Sequence, residues 1–459
     1  MSVDRSALPR VGADPRFRFP AIERVVVDDG LRVWSVAHRE MPVVALSAIV
    51  PSGSAADPPG LEGLTGLTTD LLDEATVNRS AFELHDGLAR LGADLDSETS
   101  SDVTMMSLLT LRRHAEPALV LLEELLSTPR FDQADFERVR DLRLSRVRQM
   151  RDVPSAVADR ALTHVLFGDG PYGHTVFGSE ASLGRITLDD VRRHHRAAYL
   201  ETRLDVVVVG DMSADEAAEL VRRVVGGRRA RGNVASVVAP PPTAMPTRSR
   251  SRRCVLVNRP GAAQSELRLG RVAAARSTPD YFPLLVANAA LGGQFVSRIN
   301  LNLREAKGYT YGARSGVDFR RMPGPFAVGT SVQTDATGDA IREILKEIDE
   351  IGGSRPASDE ELRRARASLT RGYPRGFETA EQIARGVAMV AIHGLPFDHF
   401  DRFAERVAAV DAAEATRVAR EYFVPAEMDV VIVGDRAAVD GPVEALGLGS
   451  REYLDAHEV

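Results

Sequence analysis

The sequence predicts an α+β fold made of two homologous domains in tandem, each a mainly antiparallel sheet packed with helices. Three observations carry that prediction. The segment Leu204-Asp-Val-Val-Val-Val-Gly-Asp211 returns as Met428-Asp-Val-Val-Ile-Val-Gly-Asp435, and each copy follows an amphipathic helical stretch containing a Tyr, 188–199 and 412–422. A repeat of this period is too long for a solenoid unit and reads as a duplicated domain. Between the copies, Val238-Ala-Pro-Pro-Pro-Thr-Ala-Met-Pro246 and the Arg/Ser run after it are aperiodic, stiff and polar, as a linker is. Finally, short β-branched runs come in groups among long helical stretches, which permits antiparallel pairing. The chain divides accordingly into a domain over 1–237, a linker over 238–253 and a second domain over 254–459.

In the first half, 24–28, 31–37 and 43–50 read as strands, with Asp29-Gly30 as a hairpin turn. Helical periodicity places helices over 61–73, 80–91, 113–126, 132–151 and 155–167. The repeated segments are β-branched runs ended by Gly-Asp, so each is a strand closed by a turn. Cys254-Val-Leu-Val257 begins another buried strand.

Composition excludes several functional classes. With 44% hydrophobic and 27% charged residues in 459, the chain can bury a core without disulfides or metals. Its net charge of −7 argues against a nucleic-acid binder, and Arg248, Arg250, Arg252 and Arg253 read as part of a solvated linker. The lone Cys254 rules out an internal disulfide and a Cys-based zinc site, and suits a reducing compartment. No segment is apolar enough for a signal peptide or membrane anchor, so a cytoplasmic protein without membrane association is expected.

Chemistry is conspicuous first by what is missing. Zinc hydrolases place two His one helical turn apart, and no two of the ten His here differ by four positions. There is no G-x-S-x-G elbow, no P-loop and no dinucleotide-binding G-x-G-x-x-G after a strand. Two other stretches are specific: Gly292-Gly-Gln-Phe-Val-Ser-Arg298 and Leu303-Arg-Glu-Ala-Lys-Gly-Tyr-Thr-Tyr-Gly-Ala-Arg-Ser315. Within them Arg304 and Tyr311 stand seven residues apart, a pair that means little taken alone but that could serve peptide hydrolysis in the right setting. A phenolic O–H stabilises charge developing on a scissile carbonyl oxygen, and a guanidinium offers a fixed fork of donors to carbonyls or a carboxylate.

These stretches resemble the C-terminal domain motif of the pitrilysin, insulysin and mitochondrial-processing-peptidase family, in which an Arg and a Tyr at this spacing reach the active site of the facing half. The resemblance extends over most of the chain, including Pro171-Tyr172-Gly173 and both repeated strands. It implies catalytic roles for Arg304 and Tyr311 and substrate contacts from Gly292, Gly293, Ser297 and Arg298. The family's zinc helix carries H-x-x-E-H; the matching stretch here is Gly63-Leu-Thr-Gly-Leu-Thr-Thr-Asp-Leu-Leu-Asp-Glu-Ala-Thr76. Gly66 and Asp70 stand at the two His positions and Thr69 at the catalytic Glu, while the third ligand falls near Ser145 or Arg146. No metal is therefore expected in this chain, and zinc is expected in a homologous H-x-x-E-H partner. The implied assembly is a heterodimer closing like a clamshell on a peptide, this chain being one half. The implied task is general peptide turnover or leader-peptide removal. The alternative is an inactive structural or peptide-binding homologue, like the core proteins of the respiratory cytochrome complex.

Overall fold

The computed structural model describes residues 17–226 and 252–455. The linker expected over 238–253 falls outside these residues up to 251, and Arg253 already opens a strand. The first sheet contains β1 (Glu23–Asp28), β2 (Leu31–Ala37), β3 (Val43–Val50), β4 (Asp94–Thr99), β5 (Thr104–Leu111) and β6 (Leu204–Gly210). The second contains β7 (Arg253–Asn258), β8 (Gln264–Val272), β9 (Ala313–Val317), β10 (Pro325–Gln333), β11 (Asp429–Gly434) and β12 (Ser450–Asp455). Their orders, β1-β2-β6-β3-β5-β4 and β12-β7-β11-β8-β10-β9, correspond place for place.

The repeated segment is the third strand of each sheet, β6 or β11. It runs parallel to β2 or β7 and antiparallel to β3 or β8. Both are buried along their whole length, which explains why they read as continuous apolar runs without alternation. The second position of each repeat is a buried carboxylate used to fix the neighbouring strand. Asp205 accepts from Trp34 Nε1 at 2.8 Å and pairs with Arg32, and Asp429 accepts from Arg253 N at 2.9 Å. The two copies differ at one edge, because β1 is antiparallel to β2 through the 29–30 turn while β12 is parallel to β7.

Each sheet is covered on one face by helices of its own half and on the other by a helix from the opposite half. The Pro154–Phe167 helix packs on β8 and β11, burying Val157, Ala161 and Leu162 with Val255, Val431 and Val433. Reciprocally, the Ala380–His393 helix packs on β3 and β6, burying Ile383, Val387 and Val390 with Trp34, Val207 and Val209. Each fully buried side chain of this size stabilises by roughly 1.5–3 kcal/mol. A polar tie reinforces the joint: Asp102 accepts from the Tyr172 hydroxyl at 2.5 Å and from Arg321 N at 2.8 Å. Among the predicted helices, 61–73 shortens to Leu64–Asp70 and 188–199 becomes Leu188–His195 followed by a π-turn over Arg196–Leu200. Cys254 is buried in β7, and burial pushes its thiol up to about 11.

Two outcomes follow from this packing. Ile383→Ala should lower the stability of the chain by about 2–5 kcal/mol, read from urea unfolding, although the residue lies far in sequence from the sheet it covers. The chain should also weaken in acid. Burial holds His195, His393 and His399 at about 4 against an ordinary 6.5, with Arg276 adding to the effect at the last two. The unfolded chain then binds more protons than the folded one between these values, so stability falls as pH drops from 6.5 toward 4. A flat urea midpoint across that range would contradict this.

Candidate functional site

The Leu64–Asp70 helix starts at Gly63, whose φ of 95 suits glycine, and presents Leu64, Leu67 and the following Leu71 to the core. Its other face looks into an open cavity of about 610 Å³, lined by Gly66, Thr69, Asp70, Ser97, Arg143 and Phe177 among others. All lining residues come from the first domain. Arg143, on the Gln133–Met150 helix, is buried and fills the centre. It donates through Nη1 to Asp70 Oδ2 and through Nη2 to the Val176 carbonyl at 2.5 Å, with the Phe177 ring 5.4 Å from its guanidinium carbon. A Cβ on Gly66 would lie 2.0 Å from Arg143 Nη2 and 2.6 Å from the Val176 oxygen.

This arrangement does not fit a zinc ion. Gly66 has no donor and no room for one, Asp70 is committed to a guanidinium, and a fixed cation already occupies the space. Thr69, at the general-base position, belongs to a neutral hydroxyl network instead, bonded to the Thr65 carbonyl at 3.0 Å, Thr99 Oγ1 at 3.0 Å and the Tyr199 hydroxyl at 3.1 Å. Burial pushes Tyr199 up to about 12, so it stays protonated there. Among the described residues no group of three His, Cys, Asp or Glu is placed to hold a metal. Ser145 and Arg146, expected near the third ligand position, both line this cavity, but both are exposed, Ser145 Oγ turns back to the Asp141 carbonyl, and Arg143 on the same helix is the residue that reaches Asp70 beside Gly66. A residue one helical turn away was missed because spacing along a helix does not fix the register between two packed helices.

The second segment is built differently. Arg304 lies in a π-turn over Leu301–Ala306, its guanidinium carbon 4.2 Å from the centre of the Phe295 ring and its nearest acid Glu305 at 3.6 Å. Its Nη1 has no hydrogen-bond partner among the described residues. Tyr311 is 94% exposed, yet its neighbours are pinned. Thr310 Oγ1 accepts from Gly312 N at 3.0 Å, and Asn300 clamps Ala313 by accepting from its N–H at 2.8 Å and donating to its carbonyl at 2.7 Å. Phe295, Val296 and Leu301 are exposed on the same stretch.

Of the residues expected to touch substrate, Arg298 is corrected to a structural anchor. Its guanidinium is buried and grips Glu361 at 2.6 and 2.8 Å as well as the Arg355 and Pro356 carbonyls. Burial alone would raise Glu361, but Arg298 and Ser358 outweigh it and bring the carboxyl to about 2. Ser297 is buried at the start of the same turn. Gly292 and Gly293 serve close approach, since a Cβ would meet Ser315 Oγ at 2.5 Å in one case and Asn288 Nδ2 at 2.6 Å in the other. These four residues seat the segment, and Arg304 and Tyr311 are what it displays. The structure does not bring this pair to the Gly66 cavity, whose lining includes no residue from 292–315.

Comparison with known proteins gives the same lineage for both halves. Residues 32–180 match the family model for insulinase, peptidase family M16, and residues 185–369 match the model for the peptidase M16 inactive domain. The chain belongs to peptidase family M16. It is 26% identical over 364 residues to an uncharacterized zinc protease of Mycobacterium leprae, covering 79% of this chain and 80% of that protein. It is 21% identical over 432 residues to a probable mitochondrial-processing peptidase subunit beta of Arabidopsis thaliana, covering 90% of this chain and 78% of that one. A solved structure of the peptidase M16 inactive domain from Pseudomonas fluorescens superposes with a TM-score of 0.82 at 23% identity, over 90% of this chain and 98% of that one. The M16 boundary at 185 precedes β6, although β6 completes the first sheet.

The role of Arg143 has a direct test. Replacing Gly66→His, Thr69→Glu and Asp70→His together should leave zinc at background by elemental analysis, because the new side chain at 66 collides with the Arg143 guanidinium, which has lost its carboxylate partner, and no third ligand is supplied. Adding Arg143→Glu should bring zinc up to about one per chain, since His, His and Glu then converge with the guanidinium gone.

Proposed function

We propose that this M16 chain is the metal-free subunit of a heterodimeric zinc peptidase, supplying Arg304 and Tyr311 to an active site whose zinc and H-x-x-E-H helix belong to a homologous partner. The observation that carries the reading is the contrast between the two sites. The metal position is filled by Arg143, while Tyr311 is exposed and Arg304, half-buried against Phe295, keeps an Nη1 that makes no hydrogen bond among the described residues and has Glu305 at 3.6 Å. A subunit that had lost all part in catalysis has no physical need of a rigidly flanked, 94% exposed Tyr. In this reading an extended peptide lies in the chamber between the closed halves and pairs with a sheet edge, and β9, directly after Tyr311, is such an edge. The phenolic O–H then donates to the carbonyl oxygen as it gains charge, and the guanidinium holds a neighbouring carbonyl or a terminal carboxylate. General peptide turnover and leader-peptide removal are both compatible with the site, in a cytoplasmic setting. Among the described residues no helix is long and apolar enough to cross a membrane.

The second reading, an inactive structural or peptide-binding homologue, draws on the same Arg143-filled cavity and on the likeness to an inactive-domain structure. Reconstitution separates them. The chain alone should neither bind zinc nor cleave peptides, and mixing it with an H-x-x-E-H homologue should produce zinc-dependent cleavage that elutes as a heterodimer. Zinc-dependent cleavage by the chain alone sinks the proposal, and a stable homodimer that never activates a partner favours the second reading. In the active complex Tyr311→Phe should reduce kcat by roughly 10²-fold or more with little change in KM, measured on a fluorogenic peptide.

A further inference from the structure

Where the Pro154–Phe167 helix meets the second sheet, a pocket of about 320 Å³ opens between the two halves of the chain. The helix forms one wall with Arg160 and Val165, the turn over 168–179 forms another with Asp169, and the strands β7 and β12 close it with Val255 and Leu454. Its size is at the lower end of small-molecule sites. Gly168 and Gly178, with φ of 56 and 72, keep the turn thin.

Most charged groups in this lining are already matched. Arg253 pairs with Glu452 at 2.7 Å, Glu62 Oε1 accepts from Gly60 N at 2.7 Å, and His174 contacts the Ser54 carbonyl at 2.9 Å and Asp57 at 3.4 Å. Arg160 is the exception among the cations. It is partly buried, and among the described residues its guanidinium makes no hydrogen bond or ion pair. Burial and the like charge of Arg151 both act against its protonated form, and only Glu180 offsets them. That carboxylate is itself shared between Arg148 at 2.8 Å and Arg151 at 2.5 Å. Asp169, exposed on the turn, is likewise without an ion pair among the described residues.

The pocket therefore presents one unmatched cation, one unmatched carboxylate and an apolar surface. We propose that it binds a free apolar amino acid or a dipeptide, with the ligand carboxylate on Arg160, its ammonium on Asp169 and its side chain against Leu454, the partly exposed apolar residue of the lining. An inorganic anion would answer only Arg160, and a simple cation only Asp169. A zwitterion with an apolar side chain answers all three, and such molecules are what peptide hydrolysis releases. Because the walls come from both domains, occupancy tightens the joint between them. The turn that forms one wall also contains Val176, whose carbonyl holds Arg143, so the ligand bears on the cavity beside Gly66.

The test uses the full chain alone and does not depend on any peptidase partner. Thermal unfolding and calorimetry are run with leucine and leucyl-leucine, against leucinamide, N-acetyl-leucine and inorganic phosphate. A saturable rise in Tm with leucine or leucyl-leucine is expected, with none from leucinamide and at least about tenfold weaker binding of N-acetyl-leucine than of leucine, the loss of one charge-assisted contact. Arg160→Gln should abolish the rise, and Asp169→Asn should make leucine and N-acetyl-leucine bind alike. The proposal is overturned if neither zwitterion binds saturably, if leucinamide binds as well as leucine, if phosphate alone binds, or if folded Arg160→Gln keeps full affinity. The leucinamide and N-acetyl-leucine comparisons on the unaltered chain keep the question decidable even where a variant fails to fold.

Discussion

Each sheet of this chain is closed by a helix from the other half, and the rest of the architecture depends on that exchange. A mixed sheet whose central strand is apolar along its whole length must be covered on both faces. For β6 the second cover is the Ala380–His393 helix, and for β11 it is the Pro154–Phe167 helix. Neither domain is complete without the other, so the pair behaves as one body and not as two modules on a string. The Asp102 and Tyr172 contact to 321–322 lies at the same joint, as does the pocket around Arg160.

At the Gly66 cavity the packing of a helix and the chemistry of the face it turns to the cavity are separable. Leu64, Leu67 and Leu71 still bind the helix to the core, so the backbone has a reason to stay where it is. Asp70 places a carboxylate at this cavity, which calls for a cation. Arg143 resolves this by supplying a cation from the chain itself, and Gly66 makes room for it. The two features go together: a side chain at 66 and a guanidinium from 143 exclude each other sterically, and Asp70 is suited to an Arg in a way that a neutral His would not be.

Much of the fold was legible because it rests on local signals. The 29–30 turn and the spans of β2 and β3 were readable from alternation and turn chemistry, and the duplication from a repeated strand. Helix ends were less so, since the 61–73 periodicity continues through residues that the core buries without keeping helical. The exchange of helices left no trace in either helix's own sequence, because an apolar stripe records that a face is buried and not which sheet buries it. The site divides in the same way. Absence of a ligand set could be read directly from Gly66, Thr69 and Asp70, whereas Arg143 required the contact between two helices remote in sequence. The motif around 292–298 suggested substrate contact, yet Arg298 turns inward because Glu361 and two carbonyls at the start of the 359–371 helix offer it a complete set of acceptors.

That inward turn bears on why Arg304 and Tyr311 are presented as they are. An exposed Arg or Tyr loses side-chain and backbone freedom when it engages a ligand, and this cost falls when the surrounding chain is already fixed. Arg298 anchors the start of the segment, Asn300 clamps its far end at Ala313, and Thr310 closes the turn around Tyr311. Phe295 lies under the Arg304 guanidinium, restricting a long side chain whose one acid neighbour among the described residues is Glu305. The buried residues of the motif thus act through geometry: they fix the backbone on both sides of a half-buried Arg304 and an exposed Tyr311.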